Sequence, residues 1–208
     1  MEKKTRLKPI AITGGPSGGK TTLIEALKQE LGKEVAVVPE AASILYKGGF
    51  PRIKSDVGAY YGQRAIYLVQ IELENLIHIS HPDRIIVCDR GSLDGVAYWP
   101  KDEGNFFEAV ASNKRKELKR YSWVIHLDTA ASSSYEHTNP IRTESYQEAW
   151  DLNEKIKQAW KDHPQRVIIK NSHDFLSKIR LAVSVVEAIS KGKSQAFIKK
   201  TYFKNESK

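Results

Sequence analysis

The chain has 208 residues, of which 40% are hydrophobic and 28% charged, a balance typical of a soluble globular protein with a core of its own. No apolar run approaches the ~18 residues of a membrane-spanning helix, and the charged N-terminus is not followed by the apolar region of a secretory signal. The single cysteine, Cys88, excludes an internal disulfide and lies in a run typical of a buried strand. We therefore expect a cytoplasmic protein.

Short apolar runs alternate with longer amphipathic stretches along the chain. The apolar runs predict strands, and the stretches between them predict helices. This alternation predicts an α/β fold, a parallel sheet with helices on both faces, in one domain over residues 1–190. The predicted strands are 9–13, 35–38, 84–88, 123–127 and 166–170, and the predicted helices are 20–31, 39–47, 59–80, 104–120, 145–162 and 173–190.

The most specific motif lies between the first strand and the first helix. Residues 14–21 match G-x-x-x-x-G-K-[ST], the phosphate-binding P-loop, at every fixed position. The glycines let successive N–H groups point at phosphate oxygens, and the start of the helix adds partial positive charge. Lys20 brings a full charge to the β- and γ-phosphates, and the Thr21 hydroxyl is a ligand for Mg²⁺. The residues predicted to contact the nucleotide are Gly15, Pro16, Ser17, Gly18, Gly19, Lys20, Thr21 and Thr22.

Charged residues follow the second and third predicted strands, at the sheet edge where ligands bind in such folds. Asp89 ends an apolar strand and is predicted to bind a water of the Mg²⁺ ion, while Arg90 is predicted to bind a phosphate or carboxylate of a second substrate. The alternative for both is a simple ion pair at the strand end. Glu40 is either a proton acceptor for an attacking hydroxyl or an acid that stabilises a helix N-terminus. Which of Glu40 and Asp89 is the base stays open.

The predicted helix 59–80 carries a polar stripe and an apolar one. Gln63 and Gln70, with Arg64 beside them, are predicted to line an acceptor pocket, because amide groups suit recognition of a base or sugar. The alternative is an ordinary solvated face. Tyr67 and Glu74 complete the polar stripe, and the apolar stripe predicted to face the core comprises Ile66, Val69, Leu73, Leu76 and Ile77.

A polar segment at about 129–144 precedes a helix with a clear capping signal. We predict that this segment is a lid, and that Arg142 neutralises charge on the transferring phosphoryl group while the lid excludes water. The alternative is an exposed loop with an incidental arginine.

The last residues, 191–208, carry six lysines and one acid, within a formal net charge of +8 for the whole chain. This basic tail is interpreted as a solubilising and partly disordered end. Two alternatives stay open: contact with a nucleic acid or an anionic membrane, and packing of the interspersed apolar residues against the domain.

Three segments together resemble one known family: residues 12–22, 37–42 and 88–95. The chain is similar, over roughly residues 8–185, to the AAA-labelled P-loop ATPase and kinase family that includes the nicotinamide-riboside-kinase domain of the bacterial NAD-biosynthesis regulator. Residues 140–144 resemble its lid. The resemblance implies a three-layer fold with sheet order 2-3-1-4-5, binding of ATP with Mg²⁺, and Asp89 and Arg90 at the transfer site. It also implies that Asn171 and Ser172 lie near the nucleotide base.

Two functions fit these observations. The first is a small-molecule kinase that transfers the γ-phosphoryl group of ATP to a nucleoside-, nucleotide- or riboside-like acceptor, with Lys20, Glu40, Asp89 and Arg142 as the catalytic residues. The second is a nucleotide-dependent switch, an ATPase or GTPase, that binds an anionic partner through its basic tail. Carboxylates at two strand ends and an arginine in a lid favour the kinase, whereas the basic tail favours the switch.

Overall fold

The computed structural model describes residues 8–130, 145–171 and 174–203 of the chain. The strands in these ranges are β1 Ile10–Thr13, β2 Val35–Val38, β3 Ile85–Asp89, β4 Trp123–Leu127 and β5 Arg166–Ile169. The helices are α1 Lys20–Leu31, α2 Ala41–Lys47, α3 Asp56–Ser80, α4 Asp94–Ala97, α5 Phe106–Ala109, α6 Lys114–Arg120, α7 Tyr146–Ala159, α8 Phe175–Ser190 and α9 Gln195–Tyr202, with a 3₁₀ turn at Gly32–Glu34.

All five strands are parallel and pair in the order β2-β3-β1-β4-β5, which confirms the predicted sheet. In the central strand, Ile12 lies opposite Asp89 of β3, and Thr13 lies opposite His126 of β4. Because the strands run in register, their carboxyl ends meet along one edge. The P-loop, Glu40 and Arg90 all follow strands that end there.

Helices cover both faces of the sheet and form three layers. Ile10 and Ile12 of β1 pack on one face with α1, α8 and α9, while Ala11 packs on the other with α4 and α7. This alternation along one strand follows from the two-residue period of side-chain directions. In the described residues, no helix is long and apolar enough to cross a membrane.

The lone cysteine lies in β3 and is fully buried, as its apolar surroundings predict. Burial raises the pKa of the Cys88 thiol well above its ordinary value, so the side chain packs as a small apolar group.

The predicted helix 104–120 is wrong, because two short helices, α5 and α6, occupy that range. Ala111 between them has a left-handed backbone, with φ of 50°. Asn113 then caps α6, since its side chain accepts a hydrogen bond from the N–H of Lys116 at 2.9 Å. The short helix α4 was also not predicted.

The predicted faces of α3 are confirmed only in part. Leu73 and Ile77 of the apolar stripe pack against the core cluster, as predicted. Tyr67, Gln70 and Glu74 of the polar stripe are buried, whereas Leu76 of the apolar stripe is 59% exposed. Hydrogen bonds make this burial possible, because Tyr67 donates to Glu117 at 2.9 Å and Gln70 donates to Glu74 at 3.0 Å. Hydrophobicity alone therefore did not identify the whole face of α3 that packs against the rest of the domain, because that face includes buried polar residues.

The tail is ordered over much of its length, contrary to the predicted disorder. Helix α9 begins with Ser194 as its cap, and Ile198 is fully buried in the core cluster beside α8. Tyr202 and Phe203 are half-buried against the same cluster. The alternative in which the end packs against the domain is therefore what the structure shows for residues 195–203, whereas residues 204–208 lie outside the described part.

Candidate nucleotide and acceptor site

Three residues of the P-loop have a positive φ angle, and two of them are glycines. The φ angles of Gly14, Ser17 and Gly19 are 134°, 61° and 95°. A Cβ on Gly14 would lie 2.0 Å from the Leu127 carbonyl oxygen, so β1 leaves the sheet in close contact with β4. The Ser17 hydroxyl is buried and has no hydrogen-bond partner among the residues that the structure describes, and a bound phosphate would satisfy such a group. The loop therefore has the shape of an anion-binding concavity.

The Lys20 ammonium group lies inside this loop. It donates to the carbonyl oxygens of Gly14 and Gly15 at 2.9 and 2.6 Å. Burial, followed by repulsion from Arg90, lowers the pKa of Lys20 to about 7, although Asp94 and other carboxylates act in the opposite direction. A phosphate placed in the loop would favour the charged form of this lysine.

The predicted Mg²⁺ ligands lie at neighbouring points of the same edge. Thr21 is exposed in the first turn of α1, and Asp89 is the last residue of β3. Burial and the nearby charge of Glu40 raise the pKa of Asp89. In the described residues, no cluster of three or more His, Cys, Asp or Glu side chains is arranged to hold a metal ion. This sparse set fits Mg²⁺, which keeps several waters and takes the remaining ligands from phosphates.

Arg90, which directly follows β3, forms an ion pair with Glu40, which follows β2. Its Nε donates to Glu40 Oε1 at 2.5 Å, and its Nη1 lies 3.3 Å from Asp94 Oδ2. The backbone of Arg90 is left-handed, with φ of 76°, a conformation that costs free energy and is common at functional sites. Burial opposes ionisation of Glu40, but the charge of Arg90 and a hydrogen bond from Ser43 outweigh it and lower the pKa of Glu40.

Asp94 was not among the predicted site residues. It is 3% exposed and accepts hydrogen bonds from the Thr13 hydroxyl at 2.6 Å and from Trp160 Nε1 at 2.7 Å. Burial raises the pKa of Asp94, while Arg90 opposes that shift. The available signal was its position after the carboxyl end of β3, within residues 88–95, one of the segments that carry the family resemblance.

A cavity of about 380 Å³ opens between α2, α3 and the segment after β3. Gln63, Gln70 and Arg90, which are predicted to contact the acceptor, line this cavity, and Pro16 of the P-loop forms part of its wall. Arg64 does not line it, because its Nε donates to the Ala109 carbonyl at 3.0 Å and its guanidinium lies 5.3 Å from the centre of the Tyr60 ring. That predicted position of Arg64 is therefore wrong.

A buried polar network supports the P-loop from the other side. Asn153 of α7 accepts a hydrogen bond from the Gly15 N–H at 3.1 Å and donates to Asp128 at 2.9 Å. His126 lies 2.9 Å from the same Asn153 oxygen, and burial lowers the pKa of His126 to about 4, so the ring is neutral at pH 7. Lys157 pairs with Asp128 at 2.6 Å. No pattern in the sequence predicts that α7 contacts the P-loop.

The segments predicted to lie at the nucleotide base and in the lid are described only in part. Asn171 accepts a hydrogen bond from Lys178 at 2.8 Å and donates to the Thr129 carbonyl, at the ends of β4 and β5. Phe175, 45% exposed, lies against Gly19 and offers a ring surface beside the P-loop. Ser172 and Arg142 lie outside the described residues.

The parallel sheet of order 2-3-1-4-5 and the loop of residues 14–21 define a P-loop nucleoside-triphosphate-binding domain. The chain belongs to the AAA domain family, whose profile matches residues 9–178. A search of curated proteins returned no match to the chain. The family match confirms the P-loop resemblance and leaves the acceptor to be argued from the site.

Proposed function

We propose that this protein is a small-molecule kinase that transfers the γ-phosphoryl group of ATP to a nucleoside-, nucleotide- or riboside-like acceptor. The observation that carries the proposal is the cavity of about 380 Å³ whose wall includes Pro16 of the P-loop together with Glu40, Arg90 and Asp94. A triphosphate held by the loop would thus have its γ end beside a pocket large enough for a small molecule. A protein that only hydrolyses nucleotide does not need such a pocket.

We assign each residue of this site a distinct role in phosphoryl transfer. Lys20 offsets the negative charge of the β- and γ-phosphates, and Arg90 binds and orients the acceptor. Glu40 lines the cavity and Asp89 does not, which supports Glu40 as the carboxylate that takes a proton from the acceptor hydroxyl. The lowered pKa of Glu40 keeps it ionised at neutral pH, as a base must be.

Mg²⁺, held by Thr21 and through a water by Asp89, would supply neutralisation of charge on the transferring phosphoryl group. The buried Ser17 hydroxyl and the positive φ angles of the loop support phosphate binding at the same place. Arg142 as a lid arginine remains part of this proposal.

Nicotinamide riboside is the first acceptor to test, because the sequence resembles the family that contains a kinase of that compound. The proposal also places the protein in the cytoplasm, where ATP and such acceptors are available. The switch function has no comparable support in the described residues, because α9 packs Ile198 of the basic tail into the core.

The test is transfer of label from γ-labelled ATP to a library of ribosides, nucleosides and nucleotides. We expect one labelled acceptor, and we expect Glu40→Gln to abolish labelling while nucleotide binding persists. Glu25→Gln, which changes an exposed carboxylate of α1 outside the cavity, is the matched control and should label normally. Hydrolysis without any labelled acceptor, stimulated by RNA or anionic vesicles, would instead support the nucleotide-dependent switch.

A further inference from the structure

The charges that line the acceptor cavity are unevenly distributed. Its two carboxylates, Glu40 and Asp94, both pair with Arg90. The two other cations in its wall, Lys47 and Arg52, form no ion pair with any carboxylate in the described part of the chain. The cavity therefore has one end where the cation is paired with carboxylates, and two further cations, Lys47 and Arg52, that have no paired carboxylate among the described residues; we call these two the unbalanced cations.

The unbalanced cations lie at the end remote from the P-loop. Gln70 marks the near end, since its Nε2 lies 3.3 Å from the Arg90 carbonyl oxygen. Tyr46 lines the far end, where the Arg52 guanidinium lies 5.3 Å from the centre of its ring. Tyr46 packs against α3 at Gly62, where a Cβ would lie 3.0 Å from the Tyr46 hydroxyl. Gln70 and Gly62 are eight residues apart on α3, which at 1.5 Å per residue is about 12 Å.

The position of Lys47 on α2 independently places positive charge at the end of the cavity remote from the P-loop. It is the last residue of α2, and Glu40 caps the start of that helix. Seven residues of helix separate the two, which is about 10 Å along the axis. Helices α2 and α3 therefore both place the unbalanced cations about one nucleoside length from Glu40 and Arg90, where we propose that phosphoryl transfer occurs. Between the two ends, Ile66, Tyr67 and Tyr98 provide an apolar and aromatic wall suited to a ring.

We propose that the acceptor carries an anionic group, a carboxylate or a phosphate, at the end remote from its phosphoryl-accepting hydroxyl, and that Arg52 and Lys47 bind this group. The inference rests on the proposed function and narrows its acceptor class. Arg52 offers the planar pair of donors that matches either anion, while Lys47 adds a point charge.

The test uses matched acceptors that differ only in the remote charge. The pairs are nicotinamide riboside with nicotinate riboside, uridine with uridine-5-carboxylic acid, and uridine with uridine 3′-phosphate. The first two pairs test a carboxylate, and the third tests a phosphate. Binding is measured by calorimetry with Mg²⁺ and a non-hydrolysable ATP analogue. The wild type is compared with a Lys47→Gln, Arg52→Gln double variant and with Lys54→Gln, which removes an exposed cation of the same loop that does not line the cavity.

We expect the anionic member of at least one pair to bind about tenfold more tightly to the wild type, as a charge-assisted hydrogen bond provides. The double variant should lose this preference, Lys54→Gln should keep it, and Arg52→Lys should restore part of it. Equal or tighter binding of the neutral member in every pair would overturn the inference. So would a preference that survives in the double variant, or a failure of every anionic compound to bind.

Labelling with γ-labelled ATP separates this inference from the kinase proposal. Tight binding of an anionic acceptor that is never phosphorylated would overturn the kinase and retain the charge recognition. Phosphorylation of a neutral acceptor at the same rate by wild type and double variant would overturn only the inference that the acceptor carries an anionic group.

Discussion

Nucleotide binding should take up a proton through Lys20. Burial and Arg90 lower the pKa of its ammonium group to about 7, so at pH 8 about 0.9 of the molecules carry a neutral amine there. A triphosphate in the loop favours the charged form, so binding at pH 8 should take up about 0.9 proton, compared with about 0.1 at pH 6. The affinity should consequently be about 50-fold weaker at pH 9 than at pH 7.

The measurement is calorimetric titration with Mg-ATP in buffers that differ in ionisation enthalpy, since the slope of the observed heat gives the protons exchanged. Lys20→Arg keeps its charge at every pH used and should abolish the uptake, while Lys28→Arg, an exposed position on the same helix, should leave it unchanged. Uptake below about 0.2 proton at pH 8, or equal uptake by Lys20→Arg, would refute the argument that this lysine is neutral in the free protein.

Three further predictions concern other parts of the molecule. Ile198→Ala should lower the free energy of unfolding by about 2–5 kcal/mol in urea titrations without changing kcat; a loss below about 1 kcal/mol would contradict the packing of α9. Gly15→Ala should abolish binding of a fluorescent ATP analogue, because its Cβ would lie 2.2 Å from the Thr129 hydroxyl oxygen; normal affinity would show that the loop can shift. Asp94→Asn should lower phosphoryl transfer at least about tenfold with nucleotide affinity retained, because Arg90 loses one of its two carboxylates; an unchanged rate would count against that positioning role.

The strands and the P-loop could be predicted because their signals are local. Each strand is a short apolar run, and the phosphate-binding motif has fixed positions between a strand and a helix. The break between α5 and α6 was missed because helix formers lie on both sides of it, Glu108 and Ala109 before and residues 114–120 after, whereas the left-handed backbone of Ala111 has no signal in the sequence. The capping role of Asn113 was the available clue.

The buried face of α3 could not be predicted from its own residues. Glu74 accepts a hydrogen bond from Tyr121, 47 positions later in the sequence, and Tyr67 donates to Glu117, 50 positions later. A pattern within one helix cannot show that such partners exist, so the burial of Tyr67 and Glu74 was not predicted, although Gln70 of the same stripe was predicted to line a pocket. The contact of Asn153 with Gly15, 138 positions apart, was missed for the same reason.

The lone, buried thiol of β3 makes this domain a favourable host for spectroscopic labels. Because Cys88 is inaccessible and its thiolate is disfavoured, a maleimide dye should react with a cysteine introduced on the surface and spare the native one. Pairs of dyes on α2 and α8 would then report distances across the molecule while ligands bind. The slow rate at which Cys88 itself is labelled would measure how often the domain unfolds far enough to expose β3.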